Sequence, residues 1–279
     1  MQIIIVTGLS GSGKSVALRA LEDSGFYCID NLPATLLPQI SHHLAAADQE
    51  KIAISIDGRS AALEALPNAM ETLRAGGHQV NSIFLDSNTE TLVKRFSETR
   101  RKHPLSNETT TLAESIQRER EMLGNLVTLG HHIDTSNLGS NALRQYIKMM
   151  VQAPDHGLTL LFTSFGFKHG IPLDADFVFD IRSLPNPHYD PALRPLTGKD
   201  LAVQQFLQNT PEANEMLADI RHLLEKWLPG FIRDNRSYLT VAIGCTGGQH
   251  RSVYFVESLS TYFKARHHQV LIRHRELIE

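Results

Sequence analysis

The sequence predicts an α/β protein with two domains: an N-terminal parallel sheet like that of P-loop NTPases and kinases, and a second α/β domain with an anion-binding loop. Apolar strand-like runs alternate with helix-length amphipathic segments, which is typical of parallel sheets. A glycine-rich phosphate-binding sequence follows the first run, and a second glycine-rich strand–helix junction lies near residue 245. The length of 279 residues also favours two domains.

The composition is that of a folded protein with a net charge close to zero. Hydrophobic residues make up 42% and charged residues 20%, which supports a real core and excludes disorder as the overall state. The net charge of −3 gives no general affinity for nucleic acid, so any RNA contact would need a local patch. Cys28 and Cys245 are too few for a disulfide framework, and no apolar run is long enough for a transmembrane helix. We expect a cytoplasmic protein.

The first domain is predicted over residues 1–152. Its first strand, residues 2–7, is a continuous β-branched run, typical of a strand that is buried on both faces. The helix over 14–24 should end at Gly25, because glycine favours the left-handed conformation that closes helices. The further expected elements are strand 26–29, helix 36–46, strand 51–56, helix 61–74, strand 80–85, helix 89–101, helix 112–123, strand 130–135 and helix 141–151.

The second domain is predicted over residues 158–279. A linker over 152–157 precedes it, because Pro154 and Gly157 interrupt both the helical and the strand periodicity. The expected elements are strands 158–164 and 177–181, a loop rich in Pro and Asn over 184–198, helices 201–208 and 212–227, strand 238–243, helix 251–266 and strand 269–272.

Eight consecutive residues match the motif G-x-x-x-x-G-K-[ST] completely: Gly8, Leu9, Ser10, Gly11, Ser12, Gly13, Lys14 and Ser15. Such a loop turns its backbone N–H groups around a phosphate, and the following helix adds its positive N-terminal end. Lys14 would reach the β- and γ-phosphates, and Ser15 would ligate Mg²⁺. We therefore expect a nucleoside triphosphate here. Because a guanine-reading N-K-x-D motif is absent from the sequence, ATP and GTP both stay open.

Two aspartates are candidates for the carboxylate that would hold Mg²⁺ together with Ser15. Asp57 and Asp86 both end apolar strands, where open α/β sheets bind ligands. A strand-end Asp is also a common helix cap or turn residue, so a structural role stays open for both, and we favour Asp57. Asp30 and Asn31, after the second strand, form a third position at the same rim.

A basic run follows the fourth predicted strand: Arg95, Arg100, Arg101 and Lys102. In small P-loop kinases such a run lies in a lid over the phosphates. A solvated helix end, favoured by the helix dipole, is an equally good interpretation.

Residues 244–252 read Gly-Cys-Thr-Gly-Gly-Gln-His-Arg-Ser and join a predicted strand to a predicted helix. The spacing from Cys245 to Arg251 is that of phosphatase loops, in which a thiolate attacks phosphorus. Three interpretations stay open: an anion-binding loop without covalent chemistry, which we favour, a structural turn, and a cysteine phosphatase. Polar side chains after other strands, including Lys168 and His188, favour a cleft for a phosphorylated small metabolite.

Four segments make the chain resemble the RapZ family of RNase adapter and P-loop nucleotide-binding proteins. They read GLSGSGKSVALRALEDSGFYCIDNLP, FGFKHGIP, FDIRSLPNPHYDPALRPLTG and YLTVAIGCTGGQHRSV. The resemblance implies binding and weak hydrolysis of ATP and GTP by the first domain. It also implies that residues 8–15 form the nucleotide loop and that Asp57, Gly58, Arg59 and Ser60 form a second nucleotide segment.

For the second domain the resemblance implies a sensor of glucosamine 6-phosphate that binds a small regulatory RNA and presents it to ribonuclease E. It also implies a homo-oligomer. The positions that would hold the sugar phosphate are His188, Ser237, Thr246, Gly247, Gly248, His250 and Arg251.

Three functions therefore compete. The first is a P-loop ATPase or GTPase that acts as a metabolic regulator with a phosphosugar-sensing domain. The second is an RNA-binding adapter whose nucleotide site is regulatory or vestigial. The third is a small-molecule kinase, because a P-loop followed by an arginine-rich segment is kinase-like.

Overall fold

The glycine-rich loop of residues 8–15 follows the central strand of a five-stranded parallel sheet. A computed structural model describes residues 1–45, 49–60, 62–152, 158–234, 236, 238–266 and 268–277. The chain divides into two units, Met1–Pro154 and Asp155–Glu279. Each unit has its own parallel sheet flanked by helices, which confirms the predicted α/β fold class.

The first unit contains five strands and six α-helices among its described residues. The strands are β1 (Gln2–Gly8), β2 (Tyr27–Ile29), β3 (Lys51–Ser55), β4 (Gln79–Asp86) and β5 (His131–Asp134). The helices are α1 (Lys14–Glu22), α2 (Leu37–Ala45), α3 (Leu66–Ala75), α4 (Thr89–Thr99), α5 (Leu112–Leu123) and α6 (Ser140–Gln152). The strands lie in the order β2-β3-β1-β4-β5, all in parallel pairs.

The position of β1 explains its uninterrupted apolar sequence. Ile3 pairs with Ile52 of β3 on one side and with Val80 of β4 on the other, and its side chain has no solvent exposure. A strand that has a neighbouring strand on each side and helices over both faces is shielded from water on all sides. Its side chains are therefore apolar without alternation. Because parallel strands end at the same edge, the chain leaving β1, β3 and β4 brings Gly8, Asp57 and Asp86 to one rim.

The helix boundaries of the first unit differ from the predicted ones where the backbone turns left-handed. The helix predicted over 61–74 begins only at Leu66, because Ala62 has φ 58° and Pro67 occupies the first turn. The helix predicted over 89–101 ends at Thr99, because Arg100 has φ 51°. The stretch predicted as helix 36–46 consists of a 3₁₀ turn, Ala34–Leu36, followed by α2. Residues 46 and 61 lie outside the described part of the chain.

The second unit has a four-stranded parallel sheet in the order β7-β8-β6-β9. Its strands are β6 (Thr159–Gly166), β7 (Phe177–Asp180), β8 (Tyr238–Cys245) and β9 (Gln269–His274). Its helices are α7 (Leu201–Gln208), α8 (Pro211–Arg233) and α9 (Arg251–Lys264). Of the predicted linker, residues 153–157 lie outside the described residues.

The helix predicted over 212–227 is longer in the structure, where α8 continues through Pro229 to Arg233. A proline inside a helix removes one backbone hydrogen bond. Tertiary packing compensates, since Phe231 beyond the proline packs against the core and meets the Phe177 ring edge-on at 5.8 Å. Among the helices of the described residues, none combines the length and apolarity needed to cross a membrane.

Candidate functional site

The loop between β1 and α1 has the backbone shape of a phosphate cradle. Gly8, Gly11 and Gly13 adopt φ values of 137°, 84° and 109°, which L side chains rarely adopt. A Cβ atom on Gly8 would lie 2.1 Å from the Leu85 carbonyl oxygen, so this position has no room for a side chain. The glycines of the motif are therefore required by the backbone path itself.

The Lys14 side chain folds back over the loop. Its Nζ donates hydrogen bonds to the carbonyl oxygens of Gly8 at 2.7 Å and Leu9 at 3.1 Å. Burial lowers the pKa of Lys14 from its ordinary value, against the opposing charges of Glu119, Asp57 and Asp30. The ammonium is thus held at the loop by two of the carbonyl oxygens of the loop itself.

Asp57 follows β3 and lies at the same rim as Lys14. Burial alone would raise the pKa of Asp57, but hydrogen bonds from the Arg59 side chain and backbone, with the Lys14 charge, bring that pKa below its ordinary value. The Asp57 carboxylate accepts bonds from Arg59 N at 2.9 Å and Arg59 Nη2 at 2.7 Å. Ser15 is exposed in the first turn of α1. The Ser60 hydroxyl accepts a bond from Ala34 N at 3.3 Å, which ties it to the protein backbone.

Asp86 follows β4 and is held by protein partners. Both of its carboxylate oxygens accept bonds from Arg120 Nη1, at 2.6 and 2.8 Å. His132 Nε2 lies 3.4 Å from the same carboxylate, and Ser87 N donates to it at 2.7 Å. Burial would raise the pKa of Asp86, but these partners lower it. This arrangement favours the structural interpretation for Asp86.

Replacing Asp86 with asparagine is expected to lower the free energy of unfolding by about 1–3 kcal/mol, because Arg120 loses a charged acceptor in a largely buried pair. The pKa of Asp86 is lower in the folded than in the unfolded chain, so its contribution is present above the ordinary pKa of about 4 and is lost as the pH falls through the folded value. Denaturant unfolding at pH 7 and below pH 4 checks both points, with the exposed Asp219→Asn as control. A difference that does not shrink with falling pH would contradict this account.

The basic run after β4 is divided by the structure. The Arg95 guanidinium is bonded within the unit, to the Gly11 carbonyl at 3.1 Å and the Thr135 carbonyl at 2.6 Å, and burial lowers its pKa. Arg100, Arg101 and Lys102 are exposed beyond the end of α4. Arg95 therefore holds the loop through the Gly11 carbonyl oxygen, while the other three cations face solvent.

The sequence reasoning missed Glu119, which α5 brings to the loop. Its Oε2 accepts a hydrogen bond from Ser10 N at 2.8 Å, and its Oε1 accepts one from Ser10 Oγ at 2.7 Å. His103 Nε2 lies 3.1 Å from Oε2. The buried positions of α5 include Ile116, Glu119 and Leu123. The available signal was a carboxylate at the helical spacing of the apolar residues Ile116 and Leu123.

The second glycine-rich loop joins β8 to α9. Its Cys245 is the last residue of β8 and is 3% exposed. The Cys245 Sγ accepts a bond from Gly248 N at 3.2 Å and lies 3.2 Å from Ser252 Oγ. Gly248 has φ 76°, and a Cβ atom on it would lie 2.6 Å from Gly166 N. The thiol is thus enclosed by its own loop, and the backbone turns tightly around it.

Arg251 begins α9 and is 3% exposed. Its Nη1 donates to the carbonyl oxygens of Arg182 at 2.9 Å and Leu184 at 2.7 Å, and its Nη2 donates to Thr246 Oγ1 at 3.3 Å. Its Nε is buried without a hydrogen-bond partner among the described residues. Burial lowers the pKa of Arg251, partly offset by Cys245. One edge of the guanidinium is therefore fixed, and the edge formed by Nε and Nη2 retains donor capacity.

The other positions predicted to bind the sugar phosphate differ in their exposure to solvent. His250 is buried with Nε2 3.2 Å from the Leu193 carbonyl oxygen, and burial lowers its pKa, which favours the neutral ring. The exposed His188 ring lies 6.1 Å from it, centroid to centroid. Thr246 is exposed and Gly247 is half-buried at the turn of the loop. Ser237 lies outside the described residues.

The central strand of the first unit leads through a complete P-loop motif into a helix, and the parallel sheet has the order β2-β3-β1-β4-β5. These features define the first unit as a P-loop domain. The chain belongs to the RapZ family. Residues 1–154 match the RapZ-like N-terminal domain, and residues 158–278 match the RapZ C-terminal domain. The resemblance inferred from the four sequence segments is confirmed.

Relatives that carry the name nucleotide-binding protein cover 99% of the chain. The protein from Methylobacillus flagellatus is 62% identical over 277 residues, or 99% of each chain. The protein from Thiobacillus denitrificans is 58% identical over 278 residues, or 99% of this chain and 100% of the relative. Among solved structures, a shikimate kinase from Bacteroides thetaiotaomicron has a TM-score of 0.39 and 15% identity, covering 54% of this chain and 98% of that chain.

Proposed function

We propose that the first unit binds ATP or GTP with Mg²⁺ through Gly8–Ser15 and hydrolyses it slowly. The observation that carries this proposal is the preformed cradle, in which left-handed glycines turn the loop and Lys14 is held on the carbonyls of Gly8 and Leu9. Such a loop holds phosphates with backbone N–H groups, and its lysine stabilises charge on the transferred phosphoryl group. Calorimetric titration with ATP and GTP tests binding directly.

The hydrogen-bond partners of the arginine residues near the loop support slow hydrolysis. Arginine side chains that face a transferring phosphoryl group accelerate the reaction strongly. Here Arg95 is bonded to the Gly11 and Thr135 carbonyls, and Arg120 is bonded to Asp86. Both guanidinium groups are therefore committed to other acceptors, which supports a regulatory rather than a rapid NTPase.

Ser15 and Asp57 fit the requirements of a Mg²⁺ site. The hydroxyl of Ser15 lies on the exposed first turn of α1, and the lowered pKa keeps the Asp57 carboxylate ionised at neutral pH. Mg²⁺ in phosphate sites commonly takes one or two protein ligands and completes its shell with phosphate oxygens and water. When bound, the ion would neutralise charge on the phosphates.

Replacing Asp57 with asparagine is expected to raise the Mg²⁺ concentration that supports nucleotide binding about tenfold, the scale of one charged interaction. Asp86→Asn should shift it less, because the Arg120 side chain that pairs with Asp86 is 31% exposed, whereas the Arg59 side chain that pairs with Asp57 is 55% exposed and can turn to solvent more readily. Magnesium titrations of both variants, well below their unfolding temperatures, give the ranking. A larger shift for Asp86→Asn would assign the metal carboxylate to β4 instead of β3.

We infer that the loop of residues 245–252 binds a phosphosugar such as glucosamine 6-phosphate without covalent chemistry. The buried Nε of Arg251, the exposed Thr246 hydroxyl and the N-terminus of α9 supply donors for an oxyanion. The burial of Cys245, whose Sγ accepts the Gly248 N–H, favours a static loop over a nucleophile. An RNA pull-down tests the adapter alternative, and phosphoryl transfer to amino sugars tests the kinase alternative.

A further inference from the structure

The phosphate loop of this chain already holds a carboxylate of the chain itself. Glu119 is 1% exposed, and its two carboxylate oxygens accept the N–H and the hydroxyl of Ser10 at 2.8 and 2.7 Å. Ser10 is the third residue of the loop, 109 positions away in sequence. The backbone N–H groups of a phosphate loop ordinarily bind the phosphates of the nucleotide. In this chain the Ser10 N–H is instead bonded to the Glu119 carboxylate of α5.

The imidazole of His103 completes the environment of this carboxylate. Its Nδ1 accepts a hydrogen bond from Leu105 N at 3.1 Å, so its proton lies on Nε2, which donates to Glu119 Oε2 at 3.1 Å. His103 is 3% exposed. A backbone N–H, a hydroxyl and an imidazole N–H therefore converge on one anion, and these are the groups that bind a phosphate oxygen elsewhere.

The position of the carboxylate relative to Lys14 indicates which phosphate it replaces. Lys14 Nζ is bonded to the carbonyl oxygens of Gly8 and Leu9, and Glu119 is bonded to Ser10, the next residue of the loop, so both charged groups lie at the same end of the loop. In a P-loop the lysine reaches the β- and γ-phosphates of the nucleotide. Glu119 therefore lies toward the terminal phosphate of a bound triphosphate.

We propose that Glu119 is a specificity-determining residue of the nucleotide site, which holds the place of a γ-phosphate oxygen until a triphosphate displaces it. The inference rests on the proposed nucleotide binding. Two anions cannot share the Ser10 and His103 donors in a buried site, because their repulsion is weakly screened there. A triphosphate must move Glu119 aside, whereas a diphosphate leaves it in place. The residue therefore lowers the affinity for the triphosphate relative to the diphosphate.

The helix that carries Glu119 need not leave the site for this exchange. The next residue, Arg120, anchors α5 through Asp86 and through the Ser87 carbonyl at 2.8 Å. Only the Glu119 side chain has to rotate away from the loop. His103, in the segment between α4 and α5, then loses its partner and can donate Nε2–H to the phosphate. The segment that contains His103 thereby senses whether a terminal phosphate is present.

The test is calorimetric titration of the full chain with AMP-PNP and GMP-PNP as triphosphate probes and with ADP and GDP. Glu119→Gln keeps the shape of the side chain and removes its charge. We expect it to tighten triphosphate binding about tenfold, the difference between a charged and a neutral hydrogen-bond acceptor, and diphosphate binding less than about twofold. Glu121→Gln, on the exposed face of the same helix, is the matched control and should leave all four affinities unchanged.

A second variant keeps the inference testable if Glu119→Gln does not fold, which thermal unfolding will show. Glu119→Asp keeps the charge but shortens the side chain, which weakens its bonds to Ser10, so triphosphate binding should tighten about threefold relative to diphosphate binding. Equal changes for both nucleotide classes would overturn the inference and make Glu119 structural. Loss of triphosphate binding would also overturn it and make Glu119 part of the cradle. If the wild-type chain binds none of the four nucleotides, the proposed function itself fails.

Discussion

Replacing Lys14 with alanine is expected to reduce nucleotide hydrolysis at least about 100-fold, the scale for removing one preorganised electrostatic group. Lys14 is the positive charge that the loop fixes at the phosphates, through its bonds to the carbonyls of Gly8 and Leu9. The fold should survive, because burial disfavours the ammonium and lowers the pKa of Lys14, so removing the charge removes an unfavourable desolvation. Steady-state phosphate release at matched enzyme concentration measures the effect.

The matched control for this variant is Lys94→Ala, which removes an exposed lysine of α4 and should leave turnover unchanged. Circular dichroism and thermal unfolding verify that both variants are folded. A Lys14→Ala protein with near wild-type turnover would show that the loop of residues 8–15 is not the hydrolytic site.

The second large effect is expected in the other unit. Arg251→Ala should weaken binding of glucosamine 6-phosphate by roughly 1.5–3 kcal/mol, or about tenfold to a hundredfold, because a charge-assisted contact to phosphate oxygens is lost. Cys245→Ser should bind almost normally, because a static loop needs its N–H groups and its arginine but no nucleophile. Calorimetry with glucosamine 6-phosphate measures both variants, and Arg233→Ala, at the exposed end of α8, is the control.

Arg251 also holds the carbonyls of Arg182 and Leu184, so the alanine variant needs a companion that separates binding from folding. Arg251→Lys keeps the positive charge but loses the planar edge of Nε and Nη2, and it should bind the sugar phosphate with an intermediate affinity. Unchanged binding in Arg251→Ala would remove this loop from the site. Phosphate release by the wild-type chain that disappears in Cys245→Ser would replace the sensing function with a phosphatase.

The features that the sequence predicted are those that short stretches of chain encode. The strand over residues 2–7, the loop over 8–15 and the helix from Lys14 lie within one continuous segment, and the glycines needed for its left-handed turns stand inside it. The same holds for the junction from β8 through Gly248 to α9. The helix over 112–123 was predicted with its observed bounds, and in the structure Thr111 and Glu114 form a capping box at its start.

The partners of the charged residues were decided only by the tertiary structure. Asp57 and Asp86 look alike in sequence, since each ends an apolar strand, but α5 carries Arg120 to Asp86 across 34 positions. The same helix carries Glu119 to Ser10. Arg251 similarly donates hydrogen bonds to the carbonyl oxygens of Arg182 and Leu184, which lie 69 and 67 positions earlier in the chain.

The sequence by itself thus determined the phosphate cradle, the parallel α/β architecture and the second glycine-rich loop, because local backbone geometry and hydrophobic periodicity specify them. The tertiary structure alone decided which carboxylate is paired with Arg120 and which one is bonded to the phosphate loop. The physical reason is that a charge interacts with whatever lies within a few ångströms in space. That neighbourhood depends on which face of α5 packs over which strand end, and no short stretch of sequence contains this information.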